Sequence, residues 1–351
     1  MKTFCVANGY SKEVILFLSQ NPRAISQRMT FQPFLNAVTA QVEQTAYGAY
    51  PAELYDPIRY IMSLGGKRLR PLLTVLSANL FTDDWQKALK PSVAVEVFHN
   101  FTLMHDDIMD QAPLRRGKPT VHQKWNANIG ILSGDVMLVN AYDLLLDVDV
   151  TQLRRVIERF NRTAAEVCEG QQLDMNFESR WDVTEIEYLD MIRLKTSVLL
   201  GFAMELGGMV AGADALTTQH LYEAGVNMGL GFQLKDDLLD VYGDPDKFGK
   251  QVGGDIIANK KTFLLIEALE RAQGPQKQEL DGWLNAKTFD KAEKVAAVAR
   301  LYDELGVHQA TETKINDYFQ KGFEALDNLH VAHARKKPLL DFVQFLVERE
   351  S

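Results

Sequence analysis

Two five-residue segments carry the same arrangement of carboxylates, Asp106-Asp107-Ile108-Met109-Asp110 and Asp236-Asp237-Leu238-Leu239-Asp240. On a helix, residues at i and i+4 lie one above the other on one face. Like charges at that spacing repel, so the helix gains nothing from holding them unless a cation bridges them. Such a set of hard oxygen ligands suits Mg²⁺, which takes one or two carboxylates and fills its remaining positions with water and substrate phosphate. Two such ladders facing each other would hold a diphosphate through several metal ions. The chemistry indicated is reaction of a diphosphate ester.

An aspartate run is most often a solvated acidic face, but the neighbours here argue otherwise. The first ladder follows Phe101-Thr102-Leu103-Met104-His105, and the second sits between Gly231-Phe232-Gln233-Leu234-Lys235 and Val241-Tyr242. Segments this apolar are buried or line a cavity. By contrast, Asp83-Asp84 before Trp85 reads as a helix N-cap with first-turn acid. Asp147 and Asp149, two apart, fall on different faces.

These residues must be positioned by helices. Helical periodicity dominates the 351 residues and strand alternation is hard to find. Candidate helices run over roughly 31–47, 52–63, 70–80, 85–110, 126–147, 151–176, 184–211, 216–242, 258–272, 290–305, 308–328 and 338–348. Breaks are expected at Gly65-Gly66, near Pro91, at Gly117–Pro119, at Gly243-Asp244-Pro245 and at Gly253-Gly254. The fold class is all-α. The expected organisation is an N-terminal extension over 1–28 and one helical domain over 29–351. The extension is expected to be dispensable, because a clean amphipathic pattern begins only at Phe31.

A hydrophobic content of 46% supports a sizeable core, and a net charge of −9 argues against a non-specific nucleic-acid surface. The two cysteines, Cys5 and Cys168, offer neither a disulfide framework nor zinc spacing. With no signal-peptide pattern and no apolar run long enough to span a bilayer, a reducing cytoplasm is the expected compartment.

With both ladders in hand, the chain resembles the trans-isoprenyl diphosphate synthases, or polyprenyl synthetases, over roughly residues 50 to 270. The motifs fall in the family's order. Gly65-Gly66-Lys67-Arg68-Leu69-Arg70-Pro71 matches an early basic motif, and Asp106–Asp110 with Arg115-Arg116-Gly117 matches the first acidic motif. Gly170-Gln171-Gln172-Leu173-Asp174 and Lys195-Thr196 follow, then Phe232-Gln233 with Asp236–Asp240, then Lys250 and Lys260.

The resemblance implies a bundle of long helices around a deep cleft, usually a homodimer. It implies that Asp106 and Asp110 ligate Mg²⁺ from one wall and Asp236 from the other, about three ions in all. Asp107, Asp174, Asp237 and Asp240 would support or complete that site. Arg115, Lys195 and Lys260 would hold an allylic diphosphate with the metals. Gly66, Lys67, Arg70, His99 and Arg116 would hold isopentenyl diphosphate, and Gln171 and Lys250 would also contact substrate. Thr196 and Gln233 would face an allylic cation. Arg suits forked contact with phosphate oxygens and Lys a point-charge contact.

Product length is implied by the residues before the first ladder. Phe101, five positions before Asp106, would form the floor of a tunnel, with Phe98 one turn earlier and Thr102 beside it. Phe-Thr with an uninserted acidic motif is most similar to geranylgeranyl diphosphate synthases; farnesyl diphosphate synthase is the alternative. A class I terpene cyclase would ordinarily carry a mixed second metal motif in place of Asp236–Asp240. A regulatory subunit of a heteromeric synthase would commonly lack one ladder.

Overall fold

The structure, a computed structural model, describes residues 30–243 and 252–348. The extension over 1–28 and Lys250 lie outside the described residues. Fourteen helices of eight or more residues are described. They are α1 Gln32–Gln44, α2 Ala52–Ser63, α3 Leu69–Asn79, α4 Leu89–Met109, α5 Ala127–Leu145, α6 Val150–Glu178 and α7 Glu185–Ile192. They continue with α8 Val198–Val210, α9 Ala215–Tyr242, α10 Phe263–Arg271, α11 Gly274–Asn285, α12 Lys291–Glu304, α13 Val307–Asp327 and α14 His333–Glu348. The β-structure described is one two-residue-per-strand hairpin, β1 Leu114–Arg115 with β2 Lys118–Pro119.

The long helices start where side chains can satisfy the first backbone N–H groups. Asn126 caps α5, Asp149 caps α6 and Asp214 caps α9, each accepting from a backbone N–H two or three residues on. A Thr184–Glu187 capping box opens α7. The central helices are apolar on nearly every side. Leu72 to Ala78 of α3 and Val198 to Met209 of α8 are buried without interruption, so both are enclosed by other helices. α8 packs on α3, α6 and α9, α9 also on α13, and α4 on α3 and α5. This puts α4 and α9, the bearers of the two acidic ladders, in one bundle. A second apolar cluster joins the end of α9 to α10, α11 and α12 through Val241, Leu265, Leu280 and Leu301.

Most expected helices are present, with five differences, the first being that the segment expected over 184–211 is interrupted at Arg193–Ser197, between α7 and α8. The segment expected over 85–110 begins as a 3₁₀ turn, Trp85–Ala88, before α4. The segment expected over 258–272 starts at Phe263, after a separate turn Gly254–Ile257. α14 begins at His333 and runs through Pro338. α11 was not expected, because only Leu280 and Leu284 are buried along it, too few to display a period. Asp84 stands at the N-cap of Trp85–Ala88 as expected but makes no side-chain cap bond there; it pairs with Lys87 at 2.7 Å. No described helix is long and apolar enough to cross a membrane.

Candidate active site

The first ladder closes α4, with Asp110 as the C-cap. Its middle carboxylate points inward: Asp107 is 3% exposed. It accepts three hydrogen bonds from Arg115, at 3.0 and 2.8 Å from Nε and 2.7 Å from Nη2. Arg115 reaches back because Arg116 and Gly117, both left-handed (φ 52° and 73°), turn the hairpin at that point. Asp106 and Asp110 remain accessible. Asp106 Oδ1 is buried and accepts no hydrogen bond; Lys195 Nζ lies 3.5 Å from it. Burial, with the charge of Asp106 next, pushes the Asp110 carboxyl up.

The second ladder repeats this plan with different partners. Asp237 is also 3% exposed. Tyr188 of α7 donates to its Oδ2, and Gln233, one turn earlier on α9, donates to Oδ1 at 3.1 Å. The Thr196 hydroxyl donates to the Gln233 side-chain oxygen Oε1 at 3.3 Å. Burial pushes Asp237 up to about 7 against the opposing charge of Lys260. Asp240 accepts at 2.9 Å from the backbone N–H of Asp255, holding the Gly254–Ile257 turn to α9. Burial pulls Lys260 down, but Asp255, Asp237, Asp174 and Asp110 together outweigh it and raise it. Lys260 therefore feels carboxylates of both ladders and stays charged.

Asp174 of α6 joins the first wall to the middle of the chain, with Lys195 Nζ 2.5 Å from its Oδ2. Lys195 and Thr196 lie in a π-helical segment, Arg193–Ser197, between α7 and α8. Gly170 of α6 lies against it: a Cβ there would come within 2.2 Å of the Lys195 backbone N. The glycine of the Gly170–Asp174 motif thus lets α6 approach the widened turn. Gln171, on the same helix, donates to Met109 Sδ at 3.8 Å.

A second cationic group gathers beside the first wall. Gly65 and Gly66 take φ of 80° and 138°, and Arg116 donates to the Gly65 carbonyl. A Cβ at Gly66 would meet the Arg116 guanidinium at 3.0 Å. Lys67 is exposed. Arg68, with φ 49°, turns inward to Glu96 at 2.6 Å. Arg70 Nη1 is 3.2 Å from His99 Nε2, and its own Nε is buried without a partner. Because Arg70 can only donate, Nε2 is the unprotonated ring nitrogen. Burial, then Arg70, Arg116 and Arg115, hold His99 well below its ordinary value, so it is neutral near pH 7. Burial also lowers Arg70 to about 10. A concentration of buried positive charge with an unused N–H suits an anion.

Phe98 and Phe101 pack together, ring centroids 5.6 Å apart, as their shared helix face requires. Behind Phe98 stands Phe160 of α6 at 5.1 Å. The Thr102 hydroxyl donates to the His99 backbone carbonyl at 2.8 Å.

The donors fit Mg²⁺ in kind. They are hard oxygens, and Asp106 Oδ1 is a buried carboxylate oxygen without a hydrogen bond. Among the described residues no three His, Cys, Asp or Glu side chains form a preformed cage. Sequence reasoning missed Tyr188, Glu96 and Asp255. Asp255 had a signal in the pair Gly253-Gly254 before it, Gly253 being left-handed with φ 84°. Tyr188 had none.

A family model described as polyprenyl synthetase matches residues 51–302. A geranylgeranyl diphosphate synthase from Methanosarcina mazei is 37% identical over 89% of this chain and 95% of its own length. A geranylfarnesyl diphosphate synthase from Natronomonas pharaonis is 38% identical over 85% and 91%. The crystal structure of a geranylgeranyl pyrophosphate synthase superposes with a TM-score of 0.84 at 47% identity, covering 91% of this chain and 97% of that one.

Proposed function

This chain belongs to the polyprenyl synthetase family, and from that premise we propose how its residues divide the work of a prenyl transfer. It is a short-chain prenyltransferase that condenses isopentenyl diphosphate with an allylic diphosphate, and geranylgeranyl diphosphate is its main product. What supports the reading is two groups of cations that flank α4, which we read as two anion sites. One lies between the acidic ladders and contains Lys195 and Lys260. The other is made by Lys67, Arg70, His99 and Arg116. A cyclase needs only the first.

Enzymes of this family are generally metal-dependent. Asp106, Asp110 and Asp236 would hold Mg²⁺, with Asp174 and Asp240 beside them; the ions would supply positive charge to the diphosphate. Lys195, Lys260 and Arg115 orient the allylic diphosphate and stabilise the charge that grows on it as the C–O bond breaks. Arg70, Arg116 and Lys67 fix isopentenyl diphosphate so that its double bond meets the allylic carbon. A C–C bond forms, and the proton lost from isopentenyl diphosphate passes to the departing diphosphate. Gln233 and Thr196 turn carbonyl and hydroxyl dipoles toward the cation, and Phe98 and Phe101 keep water from its tail. A homodimer is supported by α5, where Leu132, Val139 and its C-cap Leu146, each seven residues apart, are 58–59% exposed in one apolar stripe.

Product analysis from geranyl diphosphate and labelled isopentenyl diphosphate tests the whole reading. The wild type should stop mainly at twenty carbons. Phe101→Ala should lengthen the product by at least one five-carbon unit, and Phe98→Ala should add to that. Unchanged lengths in both variants would place the floor elsewhere.

The two anion sites are separable by kinetics. Lys67→Ala should raise KM for isopentenyl diphosphate roughly tenfold, the effect of about one charged hydrogen bond. KM for geranyl diphosphate should move less than about twofold. Equal shifts in both would remove the assignment.

A further inference from the structure

The middle carboxylate of each ladder is buried and occupied, and the two occupants differ in kind. A cation, Arg115, forks onto Asp107, whereas neutral groups hold Asp237. We propose that Tyr188 is a positioning residue for the second acidic wall. Its hydroxyl, donated to Asp237 Oδ2, fixes the roll of α9 and so the direction in which Asp236 and Asp240 face a Mg²⁺–diphosphate. The proposal rests on the prenyltransferase reading above.

Of the described hydrogen bonds to Asp237, the one from Tyr188 alone comes from another helix. The Gln233 bond is internal to α9, so it can orient the carboxylate but cannot hold the helix against its surroundings. Asp237 stands next to Asp236 and three residues before Asp240. Over one turn a helix is stiff, so a tether at 237 sets the azimuth of both neighbours. The tether itself is rigid. Tyr188 is 2% exposed. The short helix bearing it is fastened at its start by the Thr184–Glu187 box and by Arg180, 2.8 Å from Glu187.

Tyr188→Phe removes one oxygen and keeps the ring. Partners that orient metal ligands typically alter metal affinity or activity by about 10–100-fold when removed. The variant should therefore need roughly tenfold more Mg²⁺ for half-maximal turnover. It should also need roughly tenfold more Mg²⁺ to reach half of the thermal stabilisation given by Mg²⁺ with inorganic diphosphate, a readout independent of turnover. Gln233→Met, which frees the Asp237 carboxylate to turn away from the Tyr188 hydroxyl and so weakens the tether, should shift the same two midpoints in the same direction by a smaller factor, and decides the matter should Tyr188→Phe fail to fold. A folded Tyr188→Phe protein with a lower melting temperature but wild-type Mg²⁺ midpoints would show a merely structural tyrosine and overturn the proposal. Failure of the parent reading would look different: the wild type itself would form no longer prenyl diphosphate, while its Mg²⁺–diphosphate stabilisation could still be titrated.

Discussion

Replacing Asp236 by alanine is expected to cut turnover by roughly a hundred- to thousandfold, the range seen when one preorganised charge-stabilising group is lost. Asp106→Ala should do the same from the opposite wall. The two carboxylates differ in surroundings, which makes the pair informative. Asp106 lies beside Lys195 at 3.5 Å and has a buried oxygen without a hydrogen bond. Burial lowers Arg70, and Glu96 and, to a smaller extent, the Asp236 carboxylate oppose that, so Asp236 is coupled electrostatically to the Arg70 group. Loss of Asp236 should therefore also disturb isopentenyl diphosphate binding, whereas loss of Asp106 should not. Circular dichroism should stay helical in both variants, because neither side chain belongs to the buried core. Asp83→Ala, at a carboxylate 92% exposed and paired only with Arg335 among the described ion pairs, is the control and should be neutral. A folded Asp236→Ala enzyme with near-normal turnover would remove the two-wall mechanism.

Arg115→Ala should damage both stability and activity, and the two losses can be separated. The substitution leaves Asp107 buried with none of the three hydrogen bonds that Arg115 supplies. Breaking a buried pair from one side typically costs about 3–5 kcal/mol. Arg115 is partly exposed, so the low end applies, about 3 kcal/mol, or roughly 4–5 °C in melting temperature for a domain of this size. Removing both partners, Arg115→Ala with Asp107→Asn, takes away the stranded charge and should recover much of that loss. It should recover little turnover, because the guanidinium proposed to hold the allylic diphosphate is still missing. A double variant no more stable than Arg115→Ala alone would mean that the pair is not what anchors the hairpin.

The ladders were legible in the sequence because helices convert spacing into direction. Asp106 with Asp110, and Phe98 with Phe101, share faces for that reason alone. The basic run Lys67-Arg68-Leu69-Arg70 was legible only in part. Which cation turns inward depends on the left-handed backbone at Arg68 (φ 49°), and residue type does not give that conformation. Tyr188 was invisible because its role depends on a partner 49 residues away. Inside an apolar segment a tyrosine looks like any core aromatic. The two middle carboxylates could not be told from their neighbours for a similar reason. Only burial, 3% exposure at both Asp107 and Asp237, separates the anchoring carboxylates from the accessible ones. The widened turn at Lys195 was equally hidden, since an i→i+5 segment leaves no periodic mark in five residues.

That widened turn bears on how such a site can arise and be lost. A π segment holds one residue more than the flanking α-helix needs, so an insertion there is absorbed locally while both flanks keep their faces. A helix one residue shorter between Arg193 and Ser197 could run as unbroken α, with α7 and α8 still seated in the bundle. What would go is the outward displacement that carries Lys195 to Asp174 and Asp106. Descendants of this chain could thus drop a single residue, keep a sound and even sturdier fold, and fall silent as enzymes. Among relatives that have lost activity, a one-residue gap at this point would be as telling as a missing aspartate.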